Sequence, residues 1–365
     1  MRRIYICHTY YHVYVSILKE FEKCSKYKNE TDCIVPTKKE ATIVLSKMSN
    51  DFESLRDRLL ATDYFDDILE YDEKPWTFFE DLAKYKDPDA GALKSIINRI
   101  RFTKKLGRYQ EKYIPTDLSK YDEIYVYCDS DPIGYYLNYR HLYYHAVEDG
   151  LDTIRCRDFA RADNTPYFGL KSFLSKRLNL LFVQDGYGKY CLDMEVNNIS
   201  ILKYPNPYYV ECSRQKLYDR LTEAEKELLL DIFVKEKQAV KDVFNQSGKK
   251  TALILTEPIS TFEVRQRIFD DLRAEYESKG YQVIIKQHPR DLFDYKSSYP
   301  EYLLIDRSVP MEMLNFFDKK FDIVVSIFTE LGNVFFAENK RRLGRDFLDA
   351  YEDRAMHEPK FESKR

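Results

Sequence analysis

The stretch from Lys250 to Pro289, KTALILTEPISTFEVRQRIFDDLRAEYESKGYQVIIKQHP, decides the fold. KTALILTEP is a short apolar run closed by proline and reads as a strand. STFEVRQRIFDDLRAEYESKG then places apolar residues at helical spacing and stops at Gly280, after which YQVIIKQHP is a second strand. Strand, helix and strand in that order imply parallel pairing, because the chain must cross back over the sheet. The plan continues with a strand at EYLLID, a short helix at VPMEMLNFF and a strand at FDIVVSIF.

The first half follows the same plan. Strand-like runs stand at RIYICHT, at DCIVPT ending at Thr37, at DDILEYD, at DEIYVYCD ending at Asp129, and at HLYYHAVEDG ending at Gly150. HVYVSILKEFEK and ATIVLSKMSNDFESLRDRLLA carry helical spacing between them. The expected fold is α/β, with two Rossmann-like doubly wound parallel-sheet domains facing a central cleft. Thr222 followed by Glu225 is a capping-box signature that opens a long helix over LTEAEKELLLDIFVKEKQAVKDVF. The expected divisions are an acceptor domain at 1–220, a connecting helix at 221–248, a nucleotide-binding domain at 249–338 and a helical tail at 339–365.

Composition removes several function classes. The 365 residues hold 58 Lys+Arg and 61 Asp+Glu, so a formal charge of −3 supplies no global field for nucleic acid. The 7 cysteines include no CxxC pair, which disfavours a disulfide framework and a structural zinc site and fits a reducing cytoplasm. His8, Thr9 and His12 interrupt the N-terminal apolar residues, so no signal peptide is expected. No apolar run approaches the roughly 20 residues that span a bilayer. Lys340, Arg341, Arg342 and Arg345 offer a peripheral contact with an anionic membrane surface, although the interspersed acids favour a solvated terminal helix.

In open α/β sheets ligands bind beyond the C-terminal strand ends. Those ends read CHTYYH from Cys7, CDSDPIG from Cys128, VEDG from Val147, TEPIS from Thr256, KQHPRD from Lys286 and SIFTELG from Ser326. Pro289 stops its strand with His288 at the rim, where an imidazole can donate to a phosphate and deliver a proton. Ser326 and Thr329 open a presumed helix start and suit a phosphate without a metal; simple capping by Thr329 weighs equally. Asp129 and Asp131 form an Asp-x-Asp that suits magnesium or manganese, but Asp131-Pro132 reads better as a helix cap. There is no GxGxxG, Walker or HExxH motif. The remaining combination is the Glu148-Asp149 pair in one domain and the His288 phosphate site in the other, which describes an inverting sugar transfer from an activated nucleotide.

These residues resemble bacterial sialyltransferases of the GT-B kind, in particular the lipooligosaccharide and capsule sialyltransferases of glycosyltransferase family 52. The resemblance rests on EDG at 148–150, HP at 288–289, the Ser326–Thr329 strand end, ICHTYYH at 6–12 and VPMEML at 309–314, which together span nearly the whole chain. It implies CMP-N-acetylneuraminic acid (CMP-Neu5Ac) as co-substrate, a terminal galactoside as acceptor, and no metal or other cofactor. It assigns the acid to His288 and phosphate contacts to His288, Pro289, Ser326 and Thr329. Glu312 would meet the ribose and Thr256 the nucleotide, while Thr9, Tyr10 and Asp129 would meet acceptor or donor sugar. The base is Asp149 or Glu148, with preference for Asp149; Glu257 and Glu263 are rivals. Family members often carry adjacent Ser/Thr where Ile327 and Phe328 stand here. A transferase using another nucleotide sugar such as a UDP-sugar, and a nonenzymatic polysaccharide-assembly subunit, are the alternatives. A homodimer is compatible with all three readings.

Overall fold

A computed structural model describes residues 1–25, 39–52, 54–87, 89, 91–151, 153–156, 158–245, 248–332 and 334–353. The chain divides into two compact units, Met1–Glu225 and Lys226–Arg365. The first holds a seven-stranded sheet of β1 (Arg3–Cys7), β2 (Ala41–Ser46), β3 (Asp67–Tyr71), β4 (Glu123–Tyr127), β5 (Tyr144–Val147), β6 (Cys191–Val196) and β7 (Tyr209–Glu211). Its order is β3-β2-β1-β4-β5-β6-β7, and every neighbouring pair is parallel. The second holds β8 (Lys250–Leu255), β9 (Tyr281–Lys286), β10 (Leu303–Ile305), β11 (Phe321–Ser326) and β12 (Ala337–Arg342), in the order β10-β9-β8-β11-β12 and again all parallel. Both are doubly wound parallel sheets. In each, strand order reverses beside the first strand, which puts the ligand-binding switch point between β1 and β4 and between β8 and β11.

The central strands are buried throughout: every residue of β1 and β2 is buried. That is why they read as continuous apolar runs rather than alternating ones. The helix Phe262–Ser278 begins where the Thr261 side chain accepts the Val264 amide, and it ends at Gly280, whose φ of +80° a side chain would resist. Ile268, Phe269, Leu272 and Tyr276 bring one face of that helix into the core of the second unit.

Several expectations are corrected. ATIVLS is β2, not the start of a helix; its β-branched residues are buried on both faces, and the helix begins only at Leu55. The strand expected at DCIVPT lies outside the described residues. The Thr222–Glu225 capping box is present, with the Thr222 amide donating to Glu225 at 2.9 Å and the Glu225 amide donating to Thr222 Oγ1 at 3.2 Å. The helix it opens ends at Phe233 and a second runs Lys237–Asn245, with Phe233 and Val234 at the break both buried. The expected helical tail contains β12, an edge strand with mostly exposed charged side chains and hence no apolar pattern to read. Arg341 of the basic group donates to Glu275 and Tyr276, and Arg342 pairs with Glu330. The short helix Arg345–Leu348 buries Leu348 in the second unit's core, while residues 354–365 lie outside the description.

Candidate active site

In the first unit, β1, β4 and β5 lie side by side, so the loops leaving them meet. Gly134 is needed for this, since a Cβ there would stand 1.8 Å from the Asp129 carbonyl oxygen. The two carboxylates after β5 separate into different tasks. Glu148 is buried, its Oε1 accepting the Ile154 amide at 3.0 Å and its Oε2 the Asn197 amide at 2.9 Å. Asp149 is the accessible one, with 42% of its side chain exposed. Its Oδ1 lies 2.9 Å from His12 Nε2 and accepts the Cys128 thiol at 2.9 Å. His12 is fixed in turn, because its Nδ1 accepts the His8 amide at 3.0 Å and its ring stacks on Tyr127. With Nδ1 accepting, neutral His12 carries its proton on Nε2 and presents it to Asp149. Burial holds the His12 ring below its ordinary pKa, against the opposing pull of Asp149.

Behind this pair His8 Nε2 meets Glu73 Oε2 at 2.7 Å, both side chains buried. Glu73 also accepts Ser46 Oγ at 2.6 Å and the Ile133 amide at 2.8 Å. Burial opposes charge on His8, but the Glu73 carboxylate more than offsets it and pushes the imidazole up to about 9. Asp131 is held well above the ordinary carboxylate range by burial; His8 opposes the shift, while the negative charges of Glu73 and Asp149 add to it.

The sugar contact expected of Asp129 and the capping bond expected of Asp131 both meet different surroundings. Asp129 is buried, its Oδ2 accepting Tyr144 Oη at 3.0 Å and its Oδ1 the Asp185 amide at 3.0 Å, so both oxygens are committed internally. Asp131 precedes a helix with Pro132 in its first turn, but its side chain makes no capping bond and lies 3.6 Å from His8 Nε2. Thr9 Oγ1 accepts the His12 amide at 3.2 Å, holding the start of the helix Tyr10–Ser25, and Tyr10 packs on Phe52.

In the second unit β9 ends at Lys286, and the rim residues follow as expected from Pro289, which is exposed. The His288 amide donates to Thr256 Oγ1 at 3.1 Å, tying the ends of β9 and β8 together. His288 Nδ1 accepts the Arg290 amide at 3.0 Å, so the neutral ring carries its proton on Nε2. Burial, with Lys286 and Arg290 adding to it, holds His288 down to about 4. Lys286 is buried and donates to the carbonyls of Gln287 at 2.7 Å and Asp306 at 3.1 Å. Burial pushes it down to about 8 against the opposing charges of Asp306 and Glu312. Glu312, in the short helix Met311–Phe316, is raised by burial while Lys286 opposes the shift.

The cradle after β11 is filled by the protein itself. Glu257 Oε1 accepts the Ile327 amide at 3.1 Å, the Phe328 amide at 2.9 Å, the Thr329 amide at 2.8 Å and Thr329 Oγ1 at 2.9 Å. Three successive amides and a hydroxyl converging on one oxygen form an anion nest, and the Glu257 carboxylate occupies it. Ser326 is buried and its Oγ donates to the Thr329 carbonyl at 2.9 Å, which turns it away from a ligand. Glu263, the other rival base, is exposed in the first turn of its helix. Sequence reading missed His8, His12, Glu73 and Cys128 as a group. The two histidines one turn apart at the start of a helix were the available signal.

Comparison with known proteins adds the family. The model of glycosyltransferase family 52 matches residues 94–330, more than half of the chain, and the chain belongs to that family. An uncharacterized protein of Haemophilus influenzae is 23% identical over 188 residues, 48% of this chain and 58% of the relative, so the match spans little more than half of that relative's length. Similar solved structures include a 2,6-sialyltransferase of Photobacterium sp. JT-ISH-224 in a ternary complex with CMP and lactose. It is 11% identical, with a TM-score of 0.49, covering 96% of this chain and 74% of that one. A sialyltransferase of Photobacterium damselae is 14% identical with a TM-score of 0.49, covering 90% and 86%. A UDP-GlcNAc 2-epimerase of Neisseria meningitidis bound to UDP-GlcNAc is 13% identical with a TM-score of 0.39, covering 89% and 77%.

Proposed function

We propose that the protein is an inverting sialyltransferase that moves N-acetylneuraminic acid from CMP-Neu5Ac to a terminal galactoside of a surface oligosaccharide or polysaccharide. Family membership supports sugar transfer. The observation that carries the acid–base reading is His288, an imidazole at the β9 rim whose Nδ1 is occupied by the Arg290 amide, leaving Nε2–H to meet a ligand. An arriving phosphate monoanion raises the pKa of an imidazole beside it, so His288 gains a proton when donor binds and returns it to the phosphate oxygen as the glycosidic bond breaks. Asp149, accessible and steered by His12 and Cys128, takes the proton from the acceptor hydroxyl. Glu148, whose oxygens are both bound to amides, holds the loop that presents it.

In this reading Glu312 meets the ribose. Thr329 and the amides of 327–329 bind phosphate once Glu257 yields them, and no cofactor takes part. A cytoplasmic place accords with the five described thiols, Cys7, Cys24, Cys128, Cys191 and Cys212, none of them in a disulfide. Among the described residues no helix is long and apolar enough to cross a membrane.

The test is a thermal-shift series with CMP, UDP and GDP, followed by assay of CMP release from CMP-Neu5Ac with lactose in EDTA. A ligand at 100 times its dissociation constant stabilises by about 2.7 kcal/mol, which such a series resolves. CMP should shift unfolding and UDP should not; a shift with UDP alone would replace the donor by a UDP-sugar.

A further inference from the structure

The ring of side chains around Asp149 contains more ligating atoms than proton transfer needs. His8, His12 and Cys128 each offer a ligand atom, and these all lie within 4.8 Å of one another. Asp149 Oδ1 stands 2.9 Å from both His12 Nε2 and Cys128 Sγ. His8 Nδ1 is buried and has no hydrogen-bond partner among the described residues, whereas Nε2 of the same ring is bound to Glu73. A histidine with one nitrogen on a buried carboxylate and the other unengaged is the arrangement of a metal-ligating histidine, whose orientation a carboxylate fixes. Cys128 sits at φ +53°, a left-handed backbone conformation uncommon outside glycine, asparagine and aspartate, and its thiol donates to Asp149 Oδ1 at 2.9 Å. Asp149 opens the group to solvent and supplies an entry path.

The geometry points to a binding site for one borderline-soft divalent cation of the zinc class, held by His8, His12, Cys128 and Asp149. Two imidazoles, a thiolate and a carboxylate make a four-ligand set suited to tetrahedral zinc and unsuited to magnesium or calcium, which take oxygen. Zinc bonds of about 2.0 Å to nitrogen and 2.3 Å to sulfur put tetrahedral ligand atoms roughly 3.5 Å apart. The His8, His12 and Cys128 atoms therefore need to draw together by about an ångström, and Asp149 Oδ1, 2.9 Å from the His12 and Cys128 atoms, follows as the fourth ligand. Binding displaces the protons of the Cys128 thiol and of the unengaged His8 nitrogen to solvent, and His12 ligates through Nε2 by passing its proton to Nδ1, which gives up the bond from the His8 amide; affinity rises with pH. Because Asp149 is the base in the proposed transfer, an ion on its Oδ1 withdraws it from catalysis, and the site is inhibitory rather than catalytic.

Chelator-stripped full-length protein is titrated with Zn²⁺, and with Co²⁺ as the spectroscopic probe, without any sugar or nucleotide present. The expected result is one equivalent bound with a thiolate-to-cobalt charge-transfer band and the visible absorption of tetrahedral cobalt. Cys128→Ser, which keeps the size of the side chain, should remove that band and weaken zinc by roughly 100-fold or more. Asp149→Asn should retain the band and bind more weakly. Absence of the band in the parent protein, or its persistence in Cys128→Ser, overturns the site. Neither readout depends on whether CMP or any galactoside is used, so the result stands apart from the transferase assignment.

Discussion

Glu257 Oε1 accepts both the amide and the hydroxyl of Thr329, at 2.8 and 2.9 Å, and thereby sits where the donor phosphate is proposed to bind. An internal carboxylate and an incoming phosphate compete for the same donors. Replacing Glu257 by Ala leaves the buried amide of Ile327 and the partly buried amides of Phe328 and Thr329 without this partner and should cost about 3 kcal/mol of stability. CMP or inorganic phosphate should recover part of that loss, so the ligand-induced rise in Tm should be larger in Glu257→Ala than in the parent. Thermal unfolding with and without CMP measures both. Equal rises in the two proteins would show that phosphate does not use this nest.

His288 should titrate near 4 in the free protein, since burial and the charges of Lys286 and Arg290 disfavour its cation. A histidine depressed below its ordinary 6.5 contributes stability that is complete above that value and is lost as pH falls towards about 4. Nuclear magnetic resonance of the ring protons should give that midpoint, and saturating CMP should move it upward. His288→Asn, which keeps a hydrogen-bond donor but has no titrating proton, should lower turnover by roughly 10²- to 10⁴-fold with CMP binding less affected. Turnover equal to that of the parent would remove His288 from the acid role.

Asp149 and Glu148 are neighbours in sequence with opposite expected phenotypes. Asp149→Asn should fold normally and lose roughly 10²- to 10⁴-fold in turnover. Glu148→Gln exchanges an acceptor for a donor beside the Ile154 or Asn197 amide, which should lower stability by about 1 to 3 kcal/mol. Circular dichroism melts beside initial rates separate the two. A fully active Asp149→Asn with an inactive but well-folded Glu148→Gln would exchange their roles.

The legible parts of the fold were those where burial is uniform. RIYIC, KTALIL and YQVIIK sit at the centres of their sheets, and their apolar runs said so. AENKRR could not be read as a strand, because β12 lies at an edge where backbone pairing with β11 suffices and side chains face water. ATIVLS was absorbed into the helical pattern that follows it, since a short buried strand has no period of its own. Strand-end logic located Glu148, Asp149 and His288 but could not tell a carboxylate that holds a loop from one that faces solvent. That distinction depends on amides such as Asn197, brought in from 49 positions away. The link between His8 and Glu73 spans 65 positions and has no local signature.

The same link sets a pH dependence that the sequence gives no hint of. His8 is raised from 6.5 to about 9 because Glu73 outweighs the penalty of burial, so the folded protein holds this proton more tightly than the unfolded chain. A raised base contributes stability that is complete below pH 6.5 and disappears as pH climbs through about 9. At 1.36 kcal/mol per pKa unit the contribution is on the order of 3 kcal/mol. Asp131, held protonated by burial, loses stability in the same direction as pH rises past the ordinary carboxylate range. Chemical denaturation between pH 6 and 9.5 should therefore show falling stability. His8→Asn should be less stable than the parent at pH 6 and should flatten the upper part of the curve. A curve that rises between pH 7 and 9, or one whose slope survives unchanged in His8→Asn, would mean that His8 is not the buried cation this geometry makes it.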